Sequence, residues 1–215
     1  MTSAWTQPLR KSAAALIRTA LEKAKKYAAK ENPEYDAECE ALMPVLKGEI
    51  PVHCHAHRAD DIFTALRIAK EYNLKCVIIH CTEGYLIADK IKESGVGVVL
   101  GPVLGDRCKP ELSKMCLDGA GIISKAGIAP ALCTDHPVIP LQYLTLCAAL
   151  CAREGMPETE ALKSVTINAA KVLGLENSIG SIAPGKDADF GVFDGDALQV
   201  KTKCVSLYIN GDKQF

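Results

Sequence analysis

Three short stretches, His53-Cys54-His55-Ala56-His57, Val77-Ile78-Ile79-His80 and Leu132-Cys133-Thr134-Asp135, each read as a β-strand that finishes in a residue able to hold a metal or move a proton. Side chains two apart on a strand share a face, so His53, His55 and His57 line one side while Val52, Cys54 and Ala56 line the other. Strand ends are also where parallel α/β folds place their chemistry. Zinc and similar ions take neutral imidazole nitrogen and carboxylate oxygen, and a catalytic site commonly keeps one position open for water. His55, His80 and Asp135 are the candidate ligands on this reading.

Asp135 has two possible roles, as a metal ligand and as the base that takes a proton from water and returns it to a leaving nitrogen. A third reading makes Thr134 or Asp135 the N-cap of the helix-bearing segment that follows. Cys81 follows His80 directly, but neighbours on a strand point to opposite faces, which disfavours a thiol–imidazole pair. Contiguous strand residues cannot wrap four ligands around one ion, so His53, Cys54, His55 and His57 do not form a zinc cluster by themselves.

The elements that must position these residues belong to an ordinary soluble composition: 215 residues, 48% hydrophobic, 24% charged, with a formal net charge of -1. That balance gives no broad attraction toward nucleic acid or acidic membranes. The basic stretch from Lys23 to Lys30 reads as a solvated helix face. No apolar run reaches the roughly 20 residues of a membrane span, and the N-terminus lacks a basic-then-apolar leader, so the expected location is cytoplasmic. The ten cysteines include no CxxC pair. Cys76, Cys133, Cys147 and Cys151 fall inside apolar patterns, where a reduced thiol packs as a small hydrophobe.

Apolar spacing predicts a long helix from Pro8 to Lys30, broken at Asn32-Pro33, and a second through Leu42 and Leu46 to Gly48. Strands follow at Ile50 to Ala56, Cys76 to His80, Val96 to Leu100 and Ile128 to Cys133. Helices alternate with them near Ala59 to Tyr72, Gly84 to Glu93 and from Pro110 toward Gly127. Such alternation argues for a parallel sheet of right-handed βαβ units. Two more helices are predicted near Leu141 to Arg153 and Glu158 to Leu173. Two antiparallel strands then close the chain, Asp189 to Phe193 and Cys204 to Ile209, each ending in a turn signal. A closed (β/α)₈ barrel needs eight strands and about 250 residues, so four strands make half a barrel or a small open sheet. An open doubly wound sheet lacks support, because no glycine-rich phosphate loop follows the first strand.

Five ordered motifs extend the pattern: HAHRADDI at His55 to Ile62, IIHCTEG at Ile78 to Gly84, TDHPVIP at Thr134 to Pro140, TINAAKVLGL at Thr166 to Leu175 and GSIAPGKDADF at Gly180 to Phe190. Over about residues 40 to 215 they resemble the amidohydrolase superfamily, more closely its imidazolonepropionase-like and prolidase-like metal-dependent hydrolases. The resemblance implies a partial TIM-type (β/α) barrel corresponding to strands 5 to 8, with N-terminal helices and a small C-terminal β element. Its expected divisions are 1–48, 49–175 and 176–215. By the same resemblance His55 and His80 match the metal-ligand histidines of strands five and six. Asp135 matches the eighth-strand aspartate that binds metal and shuttles protons. His53 and His57 are not carried over. Arg107 and Lys109, in the loop after the third strand, are candidates to face a substrate anion.

The family's first-strand His-x-His pair and fourth-strand lysine or glutamate have no counterpart here, so the chain resembles a C-terminal half. Cys81 stands where such relatives commonly have glycine, and Pro130 removes a ladder donor from the fourth strand. The function expected from the resemblance is hydrolysis of carbon–nitrogen bonds in small amides with a divalent metal, most simply zinc. Its rival is a metal-free structural or assembly fragment. An open barrel edge implies a homo-oligomer or a complementing N-terminal half.

Overall fold

The computed structural model describes residues 6–215. Helix α1 (Thr6–Ala28) and helix α2 (Ala37–Leu46) precede the sheet. The Asp36 carboxylate starts α2 by accepting from the amides of Glu38 and Cys39, as an N-cap aspartate should. Lys23 reaches across from α1 to Asp36 and Glu38 at 2.7 and 3.0 Å, clasping the two helices together.

Strand β1 (Val52–Ala56), helix α3 (Ala59–Tyr72), strand β2 (Cys76–His80), helix α4 (Ala88–Ser94) and strand β3 (Gly97–Leu100) follow in alternation. Next come helix α5 (Gly119–Lys125) and strand β4 (Ala131–Leu132). The four strands form one parallel sheet in the order β1-β2-β3-β4. An α/β fold with a parallel sheet is therefore present, and it is consistent with part of a TIM-type barrel.

The two faces of this sheet are covered differently. Cys76, Ile78, Val98, Leu100 and Leu132 point toward a helical layer, where Ile62 and Leu66 of α3, Ile91 of α4 and Ile123 of α5 meet them. Ile62, Ile78 and Ile91 are fully buried, each contributing about 1.5–3 kcal/mol of transfer free energy. The opposite face carries Val77, Val99 and Ala131, packed by Ala169 and Val172 of helix α8 (Ile167–Leu173). On β1 that second face carries His53 and His55, both exposed.

Helix α6 (Leu144–Arg153) and helix α7 (Glu158–Ser164) close the helical layer. Strands β5 (Phe190–Phe193), β6 (Cys204–Ile209) and β7 (Asp212–Lys213) then make a separate antiparallel sheet. Between α8 and β5 the Lys186 ammonium donates to the carbonyls of Glu176 and Ile179 and to the Ser181 hydroxyl, pinning the connecting loop.

Three expectations change in detail. The fourth strand shrinks to two residues because Pro130 offers no amide; its carbonyl instead accepts from Asn168 Nδ2 at 3.1 Å. The helix expected from Pro110 to Gly127 is interrupted. The carbonyls of Lys114 and Met115, which a continuous helix would use, accept from Tyr85 Oη and Arg107 instead. The helix expected from Glu158 to Leu173 divides into α7 and α8 at Thr166, whose hydroxyl donates back to the Leu162 carbonyl, a bond that bends helices. Among the described residues no helix is long and apolar enough to cross a membrane.

Candidate functional site

At the carboxyl ends of β1 and β2 the side chains of His55, His57 and His80 converge, with ligand nitrogens all within 4.8 Å of one another. His55 and His57 arrive there by simple alternation along β1. His80 does not. It lies opposite Ala56 in the ladder, and Ala56 faces the helical layer. Its backbone leaves the β region, with φ at 71°, and the ring swings to meet the other two. The His80 ring centroid lies 4.4 Å from that of His55 and 4.6 Å from that of His57, stacked on the latter.

The next residue continues the turn. Cys81 has φ at 47° and sends its thiol into the helical core, away from the histidines, where burial pushes it up to about 12. A thiol held protonated on the wrong face is no nucleophile for this site. This positive φ is a conformation that glycine adopts without strain.

Two of the three histidines have a partner on the nitrogen Nδ1. His80 Nδ1 lies 2.7 Å from the Gly101 carbonyl, which can only accept, so Nδ1 carries the proton and Nε2 is left as a lone-pair donor. Gly101 is needed there: its φ is 135°, and a Cβ would stand 2.1 Å from the Cys133 carbonyl oxygen. His57 Nδ1 meets the Thr82 hydroxyl at 2.8 Å. Such partners fix ring orientation at metal sites. Burial, then the charges of His80 and His55, hold His57 down at about 4. Partial desolvation of its ring lowers the otherwise exposed His55 as well, followed by the charge of His80. Both rings are thus neutral near pH 7, the form that binds metal. On donor chemistry the three residues fit a divalent ion that favours nitrogen.

Buried Glu83 supports the cluster from below. Its Oε2 accepts from the Ala59 amide at 2.9 Å, capping α3, and its own amide donates to the His57 carbonyl at 2.8 Å. Lys114 stands 3.8 Å from its other oxygen.

The structure therefore brings His55 and His80 together and adds His57. Period-two alternation places His57 on the right face; nothing in the sequence says that a residue beyond the strand's last paired position still reaches the site. Asp135 is exposed, with φ at 52°, in the loop after β4. It stands outside the three-histidine group, near enough for its charge to raise His55. It is not a helix N-cap, since the following α-helix begins nine residues later at Leu144. Lys109 and Glu111, in the loop after β3, also act electrostatically on His55 and His57. Arg107 is tied to the Met115 carbonyl at 2.7 Å. His53 stands apart on the exposed face.

Known proteins resemble this chain in sequence and fold. The chain is 31% identical over 211 residues to imidazolonepropionase of Fusobacterium nucleatum, covering 79% of this chain and 48% of that protein. It is 28% identical over 191 residues to amidohydrolase tasK of Hapsidospora irregularis, covering 84% of this chain and 19% of that one. An amidohydrolase structure from Thermotoga maritima MSB8 superposes with a TM-score of 0.88 at 43% identity, covering 94% of this chain and 55% of that chain. A prolidase structure with bound N-methylphosphonate-L-proline superposes at 0.63 with 19% identity, a likeness of fold alone, over 85% of this chain and 50% of that one. The chain thus spans about half the length, or less, of these relatives. The amidohydrolase family model matches residues 10–213, taking in the histidine strands and the C-terminal sheet alike, and by that match the chain belongs to the amidohydrolase family.

Proposed function

We propose that this chain carries the C-terminal part of a metal-dependent hydrolase acting on carbon–nitrogen bonds of small amides. The observation that carries the reading is the convergence of His55, His57 and His80, with the His80 ring held through Nδ1 by the Gly101 carbonyl. In this reading β1 to β4 correspond to strands 5 to 8 of a barrel, with 1–48 an N-terminal helical part, 49–175 the barrel part and 176–215 a remnant of the family's second domain.

His55 and His80, joined by His57, would hold a divalent ion, zinc being the simplest choice for imidazole ligands. When bound, the ion supplies Lewis acidity toward the scissile carbonyl and lowers the pKa of water. Asp135 adds a carboxylate at the same end of the sheet, free to take a proton from the attacking water and hand it to the leaving nitrogen. His57 and His80, kept in place by Thr82 and Gly101, orient the group they bind without further rearrangement.

Elemental analysis of protein purified without chelator, repeated on His55→Ala and His80→Ala, tests this. Near-stoichiometric metal in the parent and its loss from both variants is expected. A metal-free parent that takes up none on dialysis would overturn the reading. It would favour the second one, a non-catalytic assembly module. Both readings include association, with a second copy or with a complementing half.

A further inference from the structure

One pair of thiols lies outside the histidine site. Cys54 of β1 and Cys76 of β2 point to the helix-covered side of the sheet, with sulfurs 3.7 Å apart. Neither is in a disulfide. Their backbones explain why. In the ladder Cys54 lies opposite Ile78 and Cys76 opposite Val52, so the two cysteines are offset by two residues. Two residues of rise combined with the spacing between strands separate their Cα atoms by roughly 8 Å. A disulfide needs less than about 7 Å, so closing one would require the strands to slide.

A single inserted atom needs no such slide. Two sulfurs each about 2.3 Å from one three-coordinate pyramidal centre lie about 3.4 Å apart, only a few tenths of an ångström inside the 3.7 Å already present. Access is from one side. Cys54, only half-buried, lines a cavity of about 590 Å³ whose other walls include Leu21, Leu42, Val45, Ala65 and Ile68. Cys76 stands buried behind it.

We propose that Cys54 and Cys76 form a dithiol clamp for one soft, thiol-seeking centre bearing an apolar substituent, such as a trivalent organoarsenical. The thiols supply selectivity, since soft centres prefer sulfur to the nitrogen and oxygen donors elsewhere. The cavity accepts the substituent. With phenylarsenous acid the step is a condensation: two S–H and two As–OH bonds break, two S–As bonds form, and two waters leave. No oxidation state changes.

The test is titration of the phosphine-reduced, folded protein with phenylarsenous acid, read by intact mass and then by peptide mapping. One adduct per chain, bridging the peptides that contain Cys54 and Cys76, is expected. Its half-saturating concentration should rise by about a hundredfold or more in Cys54→Ser and in Cys76→Ala, because the second bond of a chelate forms intramolecularly. Cys108→Ser, which alters an exposed thiol elsewhere, should leave it unchanged. Mapping of the parent protein needs no variant to fold. An adduct bridging another pair, such as Cys147 and Cys151, or one formed only after denaturation, would overturn the proposal.

Discussion

His80 holds a backbone conformation that few non-glycine residues adopt, and strain of that kind persists only where the surroundings over-determine it. Here the Gly101 carbonyl and the stacked His57 ring are those surroundings. Orientation by neighbours should therefore be measurable apart from ligation. Thr82→Val removes the hydroxyl from His57 Nδ1 while keeping the side chain's volume. We expect metal affinity to fall about tenfold, read by competition with a chromogenic chelator, the usual scale for such supporting contacts. An unchanged affinity would mean that His57 is not oriented by this bond. His57 also predicts a pH effect in chelator-treated protein. Its folded value, about 4, lies below its ordinary 6.5. Between those values the unfolded chain holds a proton that the folded one refuses, so stability should rise with pH across that window and be lost as pH falls through it. Thermal melts at pH 7 and pH 5 on the parent and on His57→Gln check this: the variant should lose less on acidification. Equal losses would place the acid sensitivity elsewhere.

At the scale of elements, one buried residue links three of them, through its carboxylate and its backbone amide. Glu83 follows β2, caps the first turn of α3 and bonds the His57 carbonyl just after β1. Arg58, at the α3 N-cap position, makes no side-chain cap of its own. Glu83→Ala should cost about 1–2 kcal/mol in a denaturant melt, the range for a lost helix cap. Metal affinity should weaken with it, because the β1–α3 turn that carries His57 is released. A stability loss with no change in metal affinity would separate the cap from the site. This cap is not legible in the sequence: Glu83 lies 24 residues from the amide it serves. The strands and helices around it are legible, since Val- and Ile-rich runs alternating with 3.6-residue periodicity predict their type and order. The strand-end histidines are legible too. What escapes is whatever depends on one backbone angle or one long-range bond. His80's turn across the sheet is of this kind, as are the truncation of β4 at Pro130 and the division of α7 from α8 at Thr166.

For the whole molecule, the question is what the parallel sheet does with its ends. Among the described residues β1 and β4 are edge strands, and the face bearing His53 and His55 is exposed beside the free edge of β1. The C-terminal sheet also leaves Val192, Phe193, Val205 and Ile209 open to solvent. An unpaired strand edge next to apolar surface is a template for another chain, and natural edges are blunted by charge, twist or cover. β1 carries no lysine or proline, and its neighbouring cavity is largely apolar. We therefore expect association at micromolar concentration, with light scattering reporting a mass above that of one chain and rising with concentration. Where the contact lies follows from charge. His53→Lys should weaken association if the β1 edge mediates it, whereas Val205→Lys should do so if the C-terminal sheet does. A mass equal to one chain, unchanged over a hundredfold range of concentration, would show that the open edge is tolerated in isolation. The three-histidine site would then have to be complete enough to bind its ion without any partner.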